Sequence, residues 1–123
     1  NSGTLLQFTR AAFYQTSGTL VSSAFDMSNA SPVEIIEWDE VLPSCLPACM
    51  IKFQVRTAPD ASGAPGTWTS WYGATGAGTY FTNHYGTIIS TDMNGNQWVQ
   101  YQVEFAGDGS NTPEVSEIRI SYK

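Results

Sequence analysis

A group of aromatic residues occupies a glycine-rich segment in the middle of the chain. Its members are Trp68, Trp71, Tyr72, Tyr80 and Tyr85. Exposed aromatic rings stack on the apolar faces of sugars, so this density is typical of a carbohydrate-binding surface or an adhesin. The alternative is structural, because Trp and Tyr bury large areas and fill the cores of β-sandwiches. In a continuous strand Trp68 and Trp71 would point to opposite faces, since they are three residues apart.

Four carboxylates lie close together in sequence, at Glu34, Glu37, Asp39 and Glu40. A glycosidase needs two carboxyl groups at a fixed separation. The pleat of a strand would place Glu37 and Asp39 on one face and the other two on the opposite face. We interpret the group as a solvated acidic strand edge that discourages pairing between sheets. Because the chain has one histidine, His84, and no nucleophile-elbow, zinc or phosphate-loop motif, we expect no enzyme activity.

Acidic residues in or beside turns are candidates for a structural calcium site. They are Asp26, Asp108 and Glu114. Calcium binds carboxylate and backbone carbonyl oxygens, as in many jelly-roll modules. Residues 92–96 begin like an EF-hand loop but lack its acidic twelfth position, so we exclude an EF-hand. We predict instead that Asn94-Gly95 forms a tight turn with positive φ. Apart from this calcium we expect no cofactor.

The two cysteines, Cys45 and Cys49, are separated by three residues that include a proline. We predict a disulfide that clamps a turn, with free thiols or a metal site as the alternatives. The stabilisation would be modest because the closed loop is short. A disulfide implies an oxidising compartment, and the lysine-poor, hydroxyl-rich composition agrees with an extracellular or cell-surface location.

Short alternating runs separated by Gly, Pro, Asn and Ser indicate an all-β fold. The clearest strands are 50–57 and 97–106, in which apolar and polar residues alternate. Residues 117–122 form the last strand, and the phase of the apolar residues predicts a bulge near Ser116. Further strands are expected at 20–25 and at 33–39, the second one covered on both faces. We predict a single antiparallel β-sandwich, jelly-roll-like, of about eight strands.

The first residues allow two interpretations. Residues 4–13 have apolar side chains that fit either a helical stripe or a strand. We therefore divide the chain into an N-terminal stalk or linker, residues 1–13, with an alternative short helix, and a sandwich domain, residues 14–123.

Composition excludes several classes of protein. Of the 123 residues only 13% are charged, and five Lys and Arg against eleven Asp and Glu give a net charge of −6. This balance opposes binding to nucleic-acid phosphates. No apolar run reaches the roughly 18 residues of a membrane helix, and residues 1–15 lack the features of a signal peptide. With 41% hydrophobic residues the chain can bury enough surface to fold.

Three stretches together resemble a known module. They are YQTSGTLVSSAFD at 14–26, IKFQVRTAPD at 51–60 with PGTW at 65–68, and QWVQYQV at 97–103 with NTPEV at 111–115. They are similar to the β-sandwich of bacterial prepilin-like proteins (type IV pilins and pseudopilins) and other cell-surface proteins, over about residues 14–122.

That resemblance implies a structural, non-enzymatic role as the globular head of a filament subunit. In such proteins a long apolar N-terminal helix packs into the filament and displays the β domain. We expect such a helix upstream of residue 1 or on a partner, with any membrane contact made through it alone. The expected partners are other filament subunits, and a glycan or a surface protein. The alternative function is a secreted carbohydrate-binding module or adhesin that uses exposed aromatics.

Overall fold

The computed structural model describes residues 3–12, 17–30, 32–42, 49–90, 93, 95–107 and 113–122. These residues form ten strands: β1 (Gly3–Ala12), β2 (Ser17–Val21), β3 (Phe25–Asp26), β4 (Val33–Val41), β5 (Met50–Ala58), β6 (Tyr72–Gly73), β7 (Gly76–Ala77), β8 (Thr87–Ile88), β9 (Trp98–Ala106) and β10 (Glu114–Tyr122). The described residues include no helix long and apolar enough to cross a membrane.

The strands form two antiparallel sheets. Sheet A has the order β1-β10-β4-β8, and sheet B has the order β2-β9-β5-β6-β7 with β3 also paired to β9. The two sheets enclose one apolar core. The prediction of an all-β, antiparallel sandwich is confirmed. The described residues form two more strands than the eight expected, because four of the ten strands are only two residues long and have no clear alternating pattern in the sequence.

Strands β5 and β9 form the centre of sheet B and pair over nine consecutive residues, from Met50↔Ala106 to Ala58↔Trp98. On the inward face of β5, Ile51, Phe53 and Val55 are apolar and buried, whereas the residues between them face outward. Thr57 is also buried on the inward face, and its hydroxyl donates to the carbonyl oxygen of Met93 at 3.1 Å. The same alternation runs along β9. The period of two that the sequence predicts for both strands is therefore confirmed.

The core joins the two sheets through a pair of aromatic side chains. Trp38 of β4 and Phe53 of β5 are buried, with ring centroids 4.5 Å apart. The indole nitrogen of Trp38 donates a hydrogen bond of 2.7 Å to Glu40 Oε1, so its polar group is satisfied. The other core members are Met27, Val33, Ile36, Ile51, Val55, Phe81, Ile89, Met93, Val99, Tyr101, Val103, Val115, Ile118 and Ile120.

The N-terminal segment is a strand. β1 pairs with β10 from Gly3↔Tyr122 to Ala12↔Glu114 and forms an edge of sheet A. The alternative of a short helix is wrong for residues 4–12, and residue 13 lies outside the described part. The apolar residues of this segment fit a helix or a strand equally well, and its backbone N–H and C=O groups can form hydrogen bonds in either. The pairing with β10 therefore decides that the segment is a strand. Residues 3–12, predicted to belong to a stalk or linker, thus lie in the sheet.

The strand pairing is irregular at two places, on β10 and between β2 and β3. On β10 the pairing with β4 shifts between Val115 and Glu117, as the predicted bulge near Ser116 requires. The predicted strand 20–25 is divided into β2 and β3, because one extra residue is accommodated opposite β9. There the Ser22 hydroxyl accepts a hydrogen bond of 3.1 Å from the backbone N–H of Tyr101 and so replaces a ladder bond.

Strand β4 is covered on one face only. Ile36 and Trp38 are fully buried, but Ile35, on the outer face, is 42% exposed. The expectation that both faces are covered is wrong here, because no layer packs over the outer face of sheet A within the described residues. In the predicted turn at Asn94-Gly95, Gly95 has the expected positive φ, +90°, whereas Asn94 lies outside the described residues.

Candidate functional site

The outer face of sheet B carries a row of polar side chains. They are the outward residues of β5 and β9, and the register sets them directly opposite one another as Lys52↔Glu104, Gln54↔Gln102 and Arg56↔Gln100. Such directly opposed side chains interact across an antiparallel pair. The row therefore presents charge at both ends and amides in the middle.

Hydrogen bonds fix the central amides in place. Gln102 Nε2 donates to Gln54 Oε1 at 2.6 Å, and Gln54 Nε2 donates to the carbonyl oxygen of Thr79 at 2.8 Å. Gln54 is only 5% exposed because the segment around Thr79 lies over it. In the described residues no buried side-chain polar atom lacks a partner. The row is thus a rigid polar surface whose side chains hold one arrangement.

Arg56 lies against two tryptophan rings. Its Cζ is 4.7 Å from the ring centroid of Trp68 and 4.3 Å from that of Trp71. Its Nε donates to Gln100 Oε1 at 2.8 Å, and Gln100 Nε2 donates in turn to the carbonyl of Ser22 at 2.7 Å. Burial lowers the pKa of Arg56, yet a guanidinium stays charged at neutral pH. Arg56 therefore makes two cation–π contacts, one with each indole.

The expectation that Trp68 and Trp71 point to opposite faces is wrong. The chain between them is no regular strand, because Thr69 bonds to Thr57 while Tyr72 pairs with Val55. Between these two contacts β5 advances by two residues and the partner segment by three, so the partner segment contains one extra residue. One extra residue reverses the face of every later side chain. Both indoles consequently reach Arg56.

A second cation–aromatic contact lies at the other end of the row. Lys52 Nζ is 3.9 Å from the ring centroid of Tyr80, and it forms an ion pair of 3.6 Å with Glu104. The Tyr80 hydroxyl donates to Glu104 Oε1 at 3.2 Å. Partial burial, followed by the Glu104 carboxylate, raises the pKa of Tyr80. Its neighbour Phe81 bridges to β5 and is buried in the core, which turns Tyr80 outward.

We call this surface the aromatic–cation face; it is formed by Lys52, Arg56, Trp68, Trp71 and Tyr80. Three of the five aromatics predicted from the sequence belong to it. The other two, Tyr72 and Tyr85, lie elsewhere. Tyr72 packs against the core. Tyr85 is 82% exposed on the side of sheet A, with its ring 4.0 Å from that of His84.

The sequence analysis did not single out Lys52 and Arg56, which the structure places at the centre of these contacts. The alternation of β5 was a usable signal, because it places both side chains on the outer face. Their aromatic partners come from residues 68–80, and no local pattern relates that segment to β5.

The outer face of sheet A carries an ion cluster instead. Arg119 bonds to Glu37 at 3.1 Å, to Asp39 at 3.1 Å and to Glu117 at 3.2 Å. The hydrogen bond from Arg119 holds the pKa of Asp39 below its usual range. Glu40, by contrast, accepts the bond from the buried indole of β4. The predicted division by the pleat is confirmed for Glu37 and Asp39 on one face and Glu40 on the other.

Exposed apolar side chains border that cluster. Tyr85, Ile35 and Ile88 line an open groove of about 360 Å³, and Ile88 is 76% exposed. We call these three side chains and the groove the sheet A patch. Its chemistry differs from that of the aromatic–cation face, since its cation is already neutralised by carboxylates.

The predicted calcium ligands are not brought together. Asp26 is exposed, and its Oδ1 accepts bonds from a backbone N–H and from a glutamine side chain. Asp26 lies near the C-terminal end of β10, because the ring centroid of the adjacent Phe25 is 5.9 Å from that of Tyr122, the last residue of this strand. Glu114 is the first residue of β10 and lies at its other end. Nine residues of strand span about 25 Å. Asp108 lies outside the described residues, in which no group of three metal-binding side chains occurs.

The cysteine prediction falls partly outside the described residues. Cys49 is buried, and among the described residues no cysteine is a free thiol. Cys45 is not among them, so the bond between the two stays a prediction.

Comparisons with known proteins add little. No protein-family model and no curated protein matches the chain. Over its whole length the chain is similar to 32% of a chain in the solved structure described as "Structure of infectious bursal disease virus Gx strain", with a TM-score of 0.46 and 8% identity. A likeness of that size carries no argument about function, which therefore has to be inferred from the geometry of the two outer faces.

Proposed function

We propose that this chain is a non-enzymatic carbohydrate-binding module of an exported or cell-surface protein, and that the aromatic–cation face is its binding site. One observation carries the proposal: Trp68 and Trp71 lie on the same side of sheet B. Beside them, on the same outer face, are the partly exposed amide side chains of Gln100 and Gln102. Saccharide recognition uses both elements. Rings contact the apolar face of a sugar, while amides donate and accept hydrogen bonds at its hydroxyl groups.

Rigidity supports the proposal. Arg56 contacts both indoles and is itself held by Gln100, so the rings are ordered before a ligand arrives. Preordered groups lose less conformational entropy on binding and so give higher affinity. Both rings are half-buried rather than buried, which leaves part of each available for contact.

The absence of catalysis is part of the same proposal. Glu37 and Asp39 on the outer face of sheet A are engaged by Arg119. On the aromatic–cation face, Glu104 is engaged by Lys52 and Tyr80. A glycosidase requires a free acid and a second carboxylate across the scissile bond, and these three carboxylates serve as structural partners.

Replacing Trp71 by alanine tests the site. We expect Trp71→Ala to weaken binding to the saccharides recognised on a broad glycan array by about tenfold or more, because truncating a well-packed aromatic anchor costs about 1.4 kcal/mol or more. Titration calorimetry with the strongest array ligand gives the ratio of dissociation constants, and circular dichroism checks the fold.

Tyr85→Ala is the matched control. It removes an aromatic ring that is more exposed but lies outside the aromatic–cation face, and we expect it to leave the affinity unchanged. Absence of binding to every saccharide of the array would contradict the proposal. So would equal losses for Tyr85→Ala and Trp71→Ala.

A pilin-like filament head is the second candidate, and the sheet A patch favours it. Subunit contacts use uncovered apolar surface, and Ile88, Ile35 and Tyr85 provide it on the face opposite the aromatic–cation face. A head domain of this kind would contact neighbouring subunits through sheet A and leave sheet B free.

Sedimentation velocity tests the second candidate. We expect concentration-dependent self-association of the chain that Ile88→Ser reduces and that Thr67→Ser, at another exposed position, leaves unchanged. A chain that stays monomeric at millimolar concentration would count against a subunit contact at this patch.

A further inference from the structure

Arg56 on the outer face of sheet B and Arg119 on the outer face of sheet A have different surroundings. Arg119 is surrounded by three carboxylates. Arg56 has no carboxylate within ion-pair distance among the described residues, and its one hydrogen bond is donated by Nε to a neutral amide. The chain has eleven acidic and five basic residues, so a cation without an acidic partner is unexpected from composition alone.

The surroundings of Arg56 raise the cost of leaving its charge unmatched. Two indoles and the neighbouring strands remove part of its solvent, which is why burial lowers its pKa. A partly desolvated charge is disfavoured unless an opposite charge or hydrogen bonds compensate it. Glu104, the acidic residue of the row, lies opposite Lys52 two pairs further along and is bonded there.

The free groups of Arg56 suit a planar anion. With Nε engaged by Gln100, the two terminal NH₂ groups remain available, and a guanidinium presents them in a fixed fork that matches a carboxylate. The contacts with both indoles restrict the orientation of this fork.

We propose that the aromatic–cation face takes an acidic saccharide, with Arg56 binding the carboxylate of a uronic acid residue whose ring lies against the tryptophans. This inference rests on the proposed function and names the ligand class of the same site. Because the charge of Lys52 is neutralised by Glu104, we expect each binding site to bind one carboxylate of the saccharide.

The experiment compares each acidic oligosaccharide with its own methyl ester. Oligogalacturonate, oligomannuronate and hyaluronan oligomers serve as probes, and esterification removes the charge while keeping the sugar rings. For at least one probe we expect the acid to bind the unmodified chain about tenfold or more tighter than the ester. The preference should shrink at high salt, because screening weakens partly exposed charge pairs.

Variants of Arg56 assign the preference to this side chain. We expect Arg56→Gln to abolish the difference between acid and ester, and Arg56→Lys to retain part of it, since lysine keeps the charge but not the fork. Arg119→Gln is the matched control on the other sheet and should leave the difference unchanged. Tryptophan fluorescence reports whether the indoles keep their packing in each variant.

The outcomes separate this inference from the proposed function. Neutral saccharides that bind as tightly as acidic ones, with a loss on Trp71→Ala, would overturn the acidic-ligand inference and leave carbohydrate binding intact. A preference for the acid that persists in Arg56→Gln would also overturn it. Failure of acidic and neutral saccharides alike would overturn both proposals.

Discussion

Trp38→Ala is expected to lower the free energy of unfolding by about 3–5 kcal/mol, the range for truncating a large buried aromatic side chain. Trp38 is fully buried and contacts Phe53 across the two sheets. Its removal leaves a cavity between the layers, and Glu40 loses its indole N–H donor. For a domain whose total stability is about 5–15 kcal/mol, this loss is a large fraction. Urea denaturation followed by circular dichroism measures it.

The control for this prediction is Ile88→Ala. Ile88 is also a large apolar residue of sheet A, but it is 76% exposed. We expect a change within about 0.5 kcal/mol, as for most surface substitutions. Similar losses for the two variants would show that the core does not lie between β4 and β5.

Gly73→Ala is expected to destabilise the chain by about 1–3 kcal/mol, the usual cost of forcing extra volume into a packed site, and to weaken ligand binding as well. Gly73 is buried at the end of β6, and a Cβ atom there would meet the backbone of Thr79 and Tyr80. Backbone atoms cannot rotate away as a side-chain end can. The segment that carries Tyr80 must therefore shift, and with it the contact to Lys52.

Two measurements separate these effects of Gly73→Ala. Thermal denaturation gives the stability, and calorimetry at a temperature where the variant is folded gives the affinity. Ala77→Ser is the matched control, because Ala77 lies in the paired strand β7 but is exposed. A Gly73→Ala variant with unchanged stability and affinity would show that residues 72–80 pack less tightly than the structure describes.

Strands β5 and β9 carry both the core and the proposed binding site. The inward residues of β5 and β9 build the core, and the outward residues of the same strands build the polar row. The proposed binding site therefore stands on the most extensively paired strands of sheet B rather than on a loop alone. Side chains held by regular strands keep their geometry better than those held by loops.

Much of the fold could be predicted from local patterns. The alternation in β5 and β9 and the phase change near Ser116 are properties of single strands, and the structure confirms them. The N-terminal segment could not be assigned in this way. Its apolar residues fit two periodicities, and only its pairing with β10 selects the strand.

The candidate site divides along the same line. By itself the sequence determined which side chains of β5 point outward, among them Arg56, because a strand alternates its faces every residue. Only the tertiary structure decided that Trp68 and Trp71 share that face, and that Asp26 and Glu114 lie far apart. The physical reason is register. One extra residue in a segment that pairs with a distant strand moves every later side chain of that segment to the other face of the sheet, and the sequence of neither segment specifies how the two pair.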